Sequence, residues 1–254
     1  MANFIGVIMS CLISVSAIPL VIVITDHDIL SQPINMMIIG FGFLASVVMV
    51  FYLVLPPKGI KKQLGKEGRG VLYYTCCVFM WASVADFTLQ SRQLGIFGFA
   101  SNNAYFDHGE PYLQTPFGIG VQYWNAVINF ILYANIIYKI DNHIDPRFTA
   151  IYWAGGILTS QFCVLFGAYT GSYAAYLPPS VAMNVVFVVY PFWVFFHFIN
   201  KPRAEKIPPT NDSKYRVLDV VLVVSLLIAS FFMAIRGLGG FDSPFPLTQH
   251  YVTK

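Results

Sequence analysis

Residues Val71–Leu89 read VLYYTCCVFMWASVADFTL, nineteen positions with one charge, Asp86. An α-helix needs about 20 mainly apolar residues to cross a hydrocarbon core of about 30 Å, so this stretch is expected to span a membrane. Runs of the same kind recur on both sides of it, at Phe4–Ile24, Ile34–Leu55, Phe117–Tyr138, Phe148–Thr170, Leu177–Ile199 and Val217–Ile235. Between them lie polar linkers rich in Gly, Pro, Asn and Asp, where a chain turns in water. The runs are continuous, without the ten-residue alternation of a transmembrane barrel. Helices and closed barrels are the structures that satisfy every backbone group in lipid. The expected fold is therefore all-α, a polytopic membrane helix bundle of about seven transmembrane helices.

Composition agrees. Of 254 residues, 57% are hydrophobic and 11% charged, against about 25% charged in soluble domains, which excludes a soluble enzyme. A net charge of +3 is too small to attract nucleic acid. Cys11, Cys76, Cys77 and Cys163 all lie inside apolar runs, where cysteine acts as a small hydrophobe, and no disulfide framework is implied. The first run lacks a basic segment before it and a small-residue cleavage site after it, so it reads as a retained span. Twelve of the fifteen Lys and Arg residues fall in the linkers 56–70, 139–147 and 200–216. The positive-inside rule then places the N-terminus in the cytoplasm. The Asn-x-Ser sequon at Asn211 lies in a linker assigned to the same side and is expected to carry no glycan.

Ionisable groups inside a membrane are costly and are candidates for function. Asp86 is the one carboxylate so placed. It is expected to face the bundle interior, the alternative being that it reaches the headgroups near the end of its helix. Gln122, Asn125, Asn129 and Tyr133 share one helical face by their spacing of three and four residues. That stripe faces other helices or a cavity, either as interhelical glue or as part of a site. Gln161 and Asn184 add amides from two more spans, which allows a polar-ended pocket between four spans. The long linker 90–116 ends in DHGEPYL, residues 107–113. Pro111 restricts Glu110 to extended conformations, holding its carboxylate at the mouth of the bundle or in a solvated turn. Tyr112, Tyr123 and Trp124 read as aromatic anchors at the membrane interface. No phosphate-binding loop, Cys/His metal spacing or nucleophile elbow occurs. The histidines, His27, His108, His143, His197 and His250, lie in linkers, in the tail or at a span end. No cofactor and no metal is expected.

These residues suggest a family. The run Gly109-Glu110-Pro111-Tyr112-Leu113, followed by Tyr123-Trp124, resembles the first EXPERA domain of the transmembrane 6 superfamily, relatives of emopamil-binding protein and the sigma-2 receptor. Further along, Tyr152-Trp153, Pro191-Phe192-Trp193, Lys201-Pro202-Arg203, Phe231-Phe232, Arg236-Gly237 and Asp242-Ser243-Pro244 continue the likeness, and Ser14–Pro19 extends it into the first span. The resemblance implies two N-terminal helices with a basic linker (1–70), a four-helix EXPERA bundle (71–200), and a linker with the first helix of a second such domain (201–254). The family continues beyond the position of Lys254, so a short or C-terminally truncated member is implied. Relatives line a cavity for sterols and cationic amphiphiles with acidic residues, and Asp86 and Glu110 match two of them. Where the family usually has aspartate after Tyr-Trp, this chain has Asn125, and a proline usual near Val186 is absent.

The resemblance thus implies an integral protein of the endoplasmic reticulum or related endomembranes that binds a membrane lipid or sterol and regulates lipid homeostasis without catalysis. The expected ligand-binding residues are Asp86, Glu110, Gln122, Trp124, Asn125, Asn129 and Asn184. A sterol double-bond isomerase is the enzymatic alternative, and a seven-span transporter or receptor is a third class. Protein partners are not indicated.

Overall fold

The computed structural model describes residues 2–25, 32–57, 68–96, 104–170 and 174–201, with scattered helical positions between Val217 and Phe231. Among the described residues, regular structure is helical throughout. The elements are α1 (Ile5–Val15), α2 (Ala17–Thr25), α3 (Pro33–Val54), α4 (Val71–Gln93), α5 (Ala104–His108), α6 (Pro116–Trp124), α7 (Phe130–Asp141), α8 (Arg147–Thr170) and α9 (Val185–Ile199). His27, His250, Arg236 and the sequon at Asn211 lie outside the described residues, as do Lys58, Lys61, Lys62 and Lys66 of the basic linker.

The chain divides into two compact units, Met1–Ala204 and Glu205–Lys254. In the second, the described positions from Val217 to Phe231 are helical and carry exposed Val, Leu, Ile and Phe side chains. The first contains every element named above.

Among the described residues, five helical stretches are long and apolar enough to cross a membrane: Ile5–Thr25, Pro33–Val54, Val71–Gln93, Arg147–Thr170 and Pro179–Ile199. The first breaks at Ser16 between α1 and α2. Pro19 explains the break, because its ring clashes with the carbonyl four residues back, at Val15, and it offers no N–H. Phe117–Tyr138, read as one span, is helical from Pro116 to Asp141 but takes a π turn at Asn125–Asn129 between α6 and α7.

Helix α4 is the axis of the unit, packing against α1, α2, α3, α6 and α7. Its residues are buried nearly all the way round, from Leu72 to Arg92. That explains how so moderately apolar a helix can sit at the centre, since its polar residues meet protein and not lipid. The core gathers Tyr73, Phe79 and Met80 of α4 with Tyr133 and Ile137 of α7 and Trp153 of α8. Phe79 meets Tyr133, Trp153 and Phe187 ring to ring, with centroids 5.7, 5.9 and 4.7 Å away. The outer faces carry exposed Leu53, Phe148, Phe166 and Tyr169, as expected of helices whose surroundings are lipid.

Candidate functional site

The loop before α6 is shaped by local chemistry. Thr115 caps α6, its side-chain oxygen accepting from the Gly118 N–H at 3.1 Å while its hydroxyl donates to the Tyr112 carbonyl at 2.8 Å. Pro116 follows at the first helical position, where a missing N–H costs nothing. A Cβ at Gly118 would lie 2.6 Å from the Leu113 backbone, so glycine permits the 3₁₀ turn Pro111–Gln114 to fold directly onto the start of α6. Ahead of that turn, Glu110 takes φ −137°, ψ 64°, outside the helical region that Pro111 disfavours but short of the extended ψ expected of it.

This geometry carries Glu110 inward, where it is 4% exposed, and not into a solvated turn. Its carboxylate accepts from the Tyr105 hydroxyl at 2.5 Å and the Tyr112 hydroxyl at 2.6 Å, and also from the Asn184 amide. Ser180 donates to the Gly109 carbonyl at 2.8 Å, tying the 3₁₀ turn Pro179–Asn184 to the same loop. Burial pushes the Glu110 carboxyl above the usual carboxylate range, the three donors opposing but not cancelling that effect. Tyr112 is therefore corrected from an interfacial anchor to a buried donor. A tyrosine whose ring packs inside needs a partner for its hydroxyl, and the buried carboxylate supplies one.

Beside this cluster lies a cavity of about 190 Å³ with mainly apolar walls. Asp86, Glu110, Gln122, Asn125, Gln161 and Asn184 all line it. Six polar positions read from five separate stretches of the chain are thus brought to one space. Asp86 faces the cavity from α4, and its carboxylate takes part in no hydrogen bond among the described residues. Gln122 and Gln161, from α6 and α8, are each 5% exposed, and each has a carbonyl oxygen with no donor. Asn125 is engaged, accepting from the Asn129 amide at 2.8 Å across the π turn.

Two expected residues stand apart. Asn129 is buried but does not line the cavity, acting on it through Asn125. Trp124 is 47% exposed on the outer surface, because the helical face that turns Gln122 and Asn125 inward turns Trp124 outward.

The expectation of a pocket built from four spans also omitted walls that the N-terminal helices provide. Val21, Ile24 and Thr25 of α2, with Met36 and Phe43 of α3, close one side. Tyr105 was missed as well. Its signal was faint, an aromatic five residues before a glutamate in a loop, and only the fold shows that its hydroxyl meets that glutamate. No group of His, Cys, Asp and Glu able to hold a metal ion occurs among the described residues.

Comparison with known proteins gives a family. Residues 16–209 match the family described as "Transmembrane 6 superfamily member 2-like, transmembrane domain". Proteins named transmembrane 6 superfamily member 2 from Mus musculus, Rattus norvegicus and Homo sapiens are 27%, 26% and 25% identical, each alignment covering 91% of this chain. The chain spans 61% of the length of these relatives. No solved structure matches. The family match covers most of the chain and includes every residue of the cavity and its carboxylate cluster, so this integral membrane protein belongs to the transmembrane 6 superfamily.

Proposed function

We propose that the protein binds a membrane lipid, such as a sterol, in the cavity between α2, α3, α4, α6, α8 and the start of α9, and that it serves lipid homeostasis without catalysing a reaction. The observation that carries this reading is the meeting of Asp86, Glu110, Gln122, Asn125, Gln161 and Asn184 around one apolar-walled space. An apolar pocket with a few convergent polar groups is the form that ligand sites take. At about 190 Å³ the space exceeds an engineered cavity of about 150 Å³ that holds benzene, yet lies below the range of about 300–1,000 Å³ for drug-sized ligands. It therefore suits one end of a lipid, with the remainder extending toward the bilayer.

In this reading Asp86 anchors a polar or cationic head, and Glu110, fixed by Tyr105, Tyr112 and Asn184, shapes the mouth. The endoplasmic reticulum or a related endomembrane is the proposed location, with the N-terminus in the cytoplasm by the distribution of Lys and Arg. The division into two N-terminal helices, a four-helix domain and the start of another is proposed with it, the N-terminal helices completing the site.

A second reading rests on the unpartnered Asp86 carboxyl beside a second acid, an arrangement able to protonate a sterol double bond. Conversion of a Δ8 sterol by membranes containing the protein, abolished by Asp86→Asn, would establish that activity. Photo-crosslinking of a clickable sterol probe to the purified full chain tests binding. Saturable labelling is expected, suppressed by unlabelled sterol and lost in Asp86→Asn while the protein stays folded. Labelling that is absent, or indifferent to both Asp86→Asn and Glu110→Gln, would overturn the proposal.

A further inference from the structure

Most polar groups on the cavity wall already have partners. The Thr25 hydroxyl donates to the Val21 carbonyl at 2.7 Å, the Trp81 indole to Ser16 at 3.2 Å, and Tyr105 and Asn184 to Glu110. Asn125 accepts from Asn129. What remains are the amides of Gln122 on α6 and Gln161 on α8, neither of which makes a hydrogen bond among the described residues, and the Asp86 carboxylate. Both glutamines are more than nine-tenths buried. A buried amide left without partners is costly in an apolar setting, and a pair of them lining one cavity from two helices is a place for a ligand's polar group.

We infer that Gln122 and Gln161 form a subsite for a lipid hydroxyl, with Asp86 as an additional acceptor. This rests on the lipid-binding reading above and specifies the head that the cavity takes. The chemistry separates hydroxyls from other heads. Each amide offers an N–H that needs an acceptor and a carbonyl that needs a donor. A hydroxyl is both, so it matches either end of a glutamine amide. An ester or ether oxygen only accepts, and an ammonium only donates. The terminal torsion of glutamine is broad and roughly two-fold, so either end of each amide can turn to the ligand. Phosphate and carboxylate heads are disfavoured by the two acidic side chains on the same wall.

The test is competition against the clickable sterol probe on the purified full chain, using a free sterol alcohol, its methyl ether and an amine-bearing sterol analogue. The alcohol is expected to compete about tenfold better than the ether, the effect of one buried hydrogen bond. In the double variant Gln122→Leu/Gln161→Leu that preference is expected to vanish. Thermal stability of the variant should not fall, because the substitutions remove unpaired polar groups. Equal competition by alcohol and ether in the unaltered protein would overturn the subsite and leave the lipid site standing. Strong competition by the amine alone would also overturn it, assigning recognition to Asp86. Absence of saturable labelling would defeat the underlying lipid reading, and the subsite with it.

Discussion

The two ends of the α4 axis treat buried polar groups in opposite ways. At the start of α4, Arg69 donates to Asp141 at 2.7 Å, with both side chains under 5% exposed, and Tyr73 donates to the other Asp141 oxygen at 3.2 Å. Asn142 accepts from the Asn3 N–H at 2.7 Å and donates to the Asn3 carbonyl at 2.9 Å, clasping the chain ahead of α1 to the end of α7. Charge meets opposite charge there. Toward the other end, two acids share a cavity wall with unpartnered amides, and no described cation lines that wall. The ion pair and the Asn142 clasp tie helices to one another, whereas the cavity groups are left without partners among the described residues, a need that the proposed lipid would meet. The contrast separates architecture from site within a single bundle.

The contrast is sharpest at the ion pair. Asp141→Ala leaves the Arg69 guanidinium buried without its partner and is expected to cost about 3–5 kcal/mol, the usual consequence of breaking such a pair. Thermal unfolding of detergent-solubilised protein, followed by size-exclusion profile, should show a large drop. Asp86→Asn, which removes a buried acid without a hydrogen-bond partner among the described residues, should leave the unfolding temperature unchanged or raise it. Equal losses in the two variants would mean that Asp86 is also part of the architecture.

Next in size is Gly6→Val. A Cβ at Gly6 would sit 2.0 Å from an Asp141 carboxylate oxygen and 2.3 Å from the Tyr73 hydroxyl. The carboxylate is fixed by Arg69 and cannot simply swing away. The substitution should cost about 1–3 kcal/mol, as overpacking does, in the same unfolding assay. Survival at full stability would show that α1 can move off α7 at no cost.

Much of this was legible in the sequence, and what was not has physical causes. Apolar runs of helical length announce membrane helices because lipid demands both length and apolarity. Spacing of three and four placed Gln122, Asn125 and Asn129 inward even though a π turn intervenes, since the buried stripe continues to Tyr133. Asp86 was identified because a lone carboxylate in such a run needs a reason. Pairings across long separations left no local trace. Asp141 sits in the linker-like sequence KIDNH, and nothing nearby says that Arg69, 72 positions away, is its partner. Likewise the walls given by α2 and α3 are ordinary apolar residues, indistinguishable in sequence from lipid-facing ones.

Glu110 offers a subtler test, because it is paired with hydrogen bonds but not with a cation. Its raised folded value means that the neutral carboxyl supports the fold. That contribution is complete below the ordinary glutamate range and is lost as pH rises through the folded value. The unfolding temperature of the native protein should therefore fall relative to Glu110→Gln as pH is taken from acid toward neutral. An opposite slope would show that Tyr105, Tyr112 and Asn184 hold the carboxylate ionised, making this cluster resemble the Asp141 clasp.

The smallest expected effect concerns Trp124, which follows Tyr123 in the motif yet points away from the cavity that its neighbours line. Trp124→Leu keeps an apolar surface toward lipid and removes no described hydrogen bond. It should change stability by no more than about 0.5 kcal/mol, as surface substitutions usually do, and should leave sterol labelling at the native level. Asn125→Leu, one residue on, deprives the Asn129 amide of its acceptor and alters the cavity wall. A difference in labelling between these adjacent substitutions would place recognition inside the bundle. If Trp124→Leu were instead as damaging as Asp86→Asn, the lipid would have to lie along the outer face of α6, and the unpaired groups within would need another explanation.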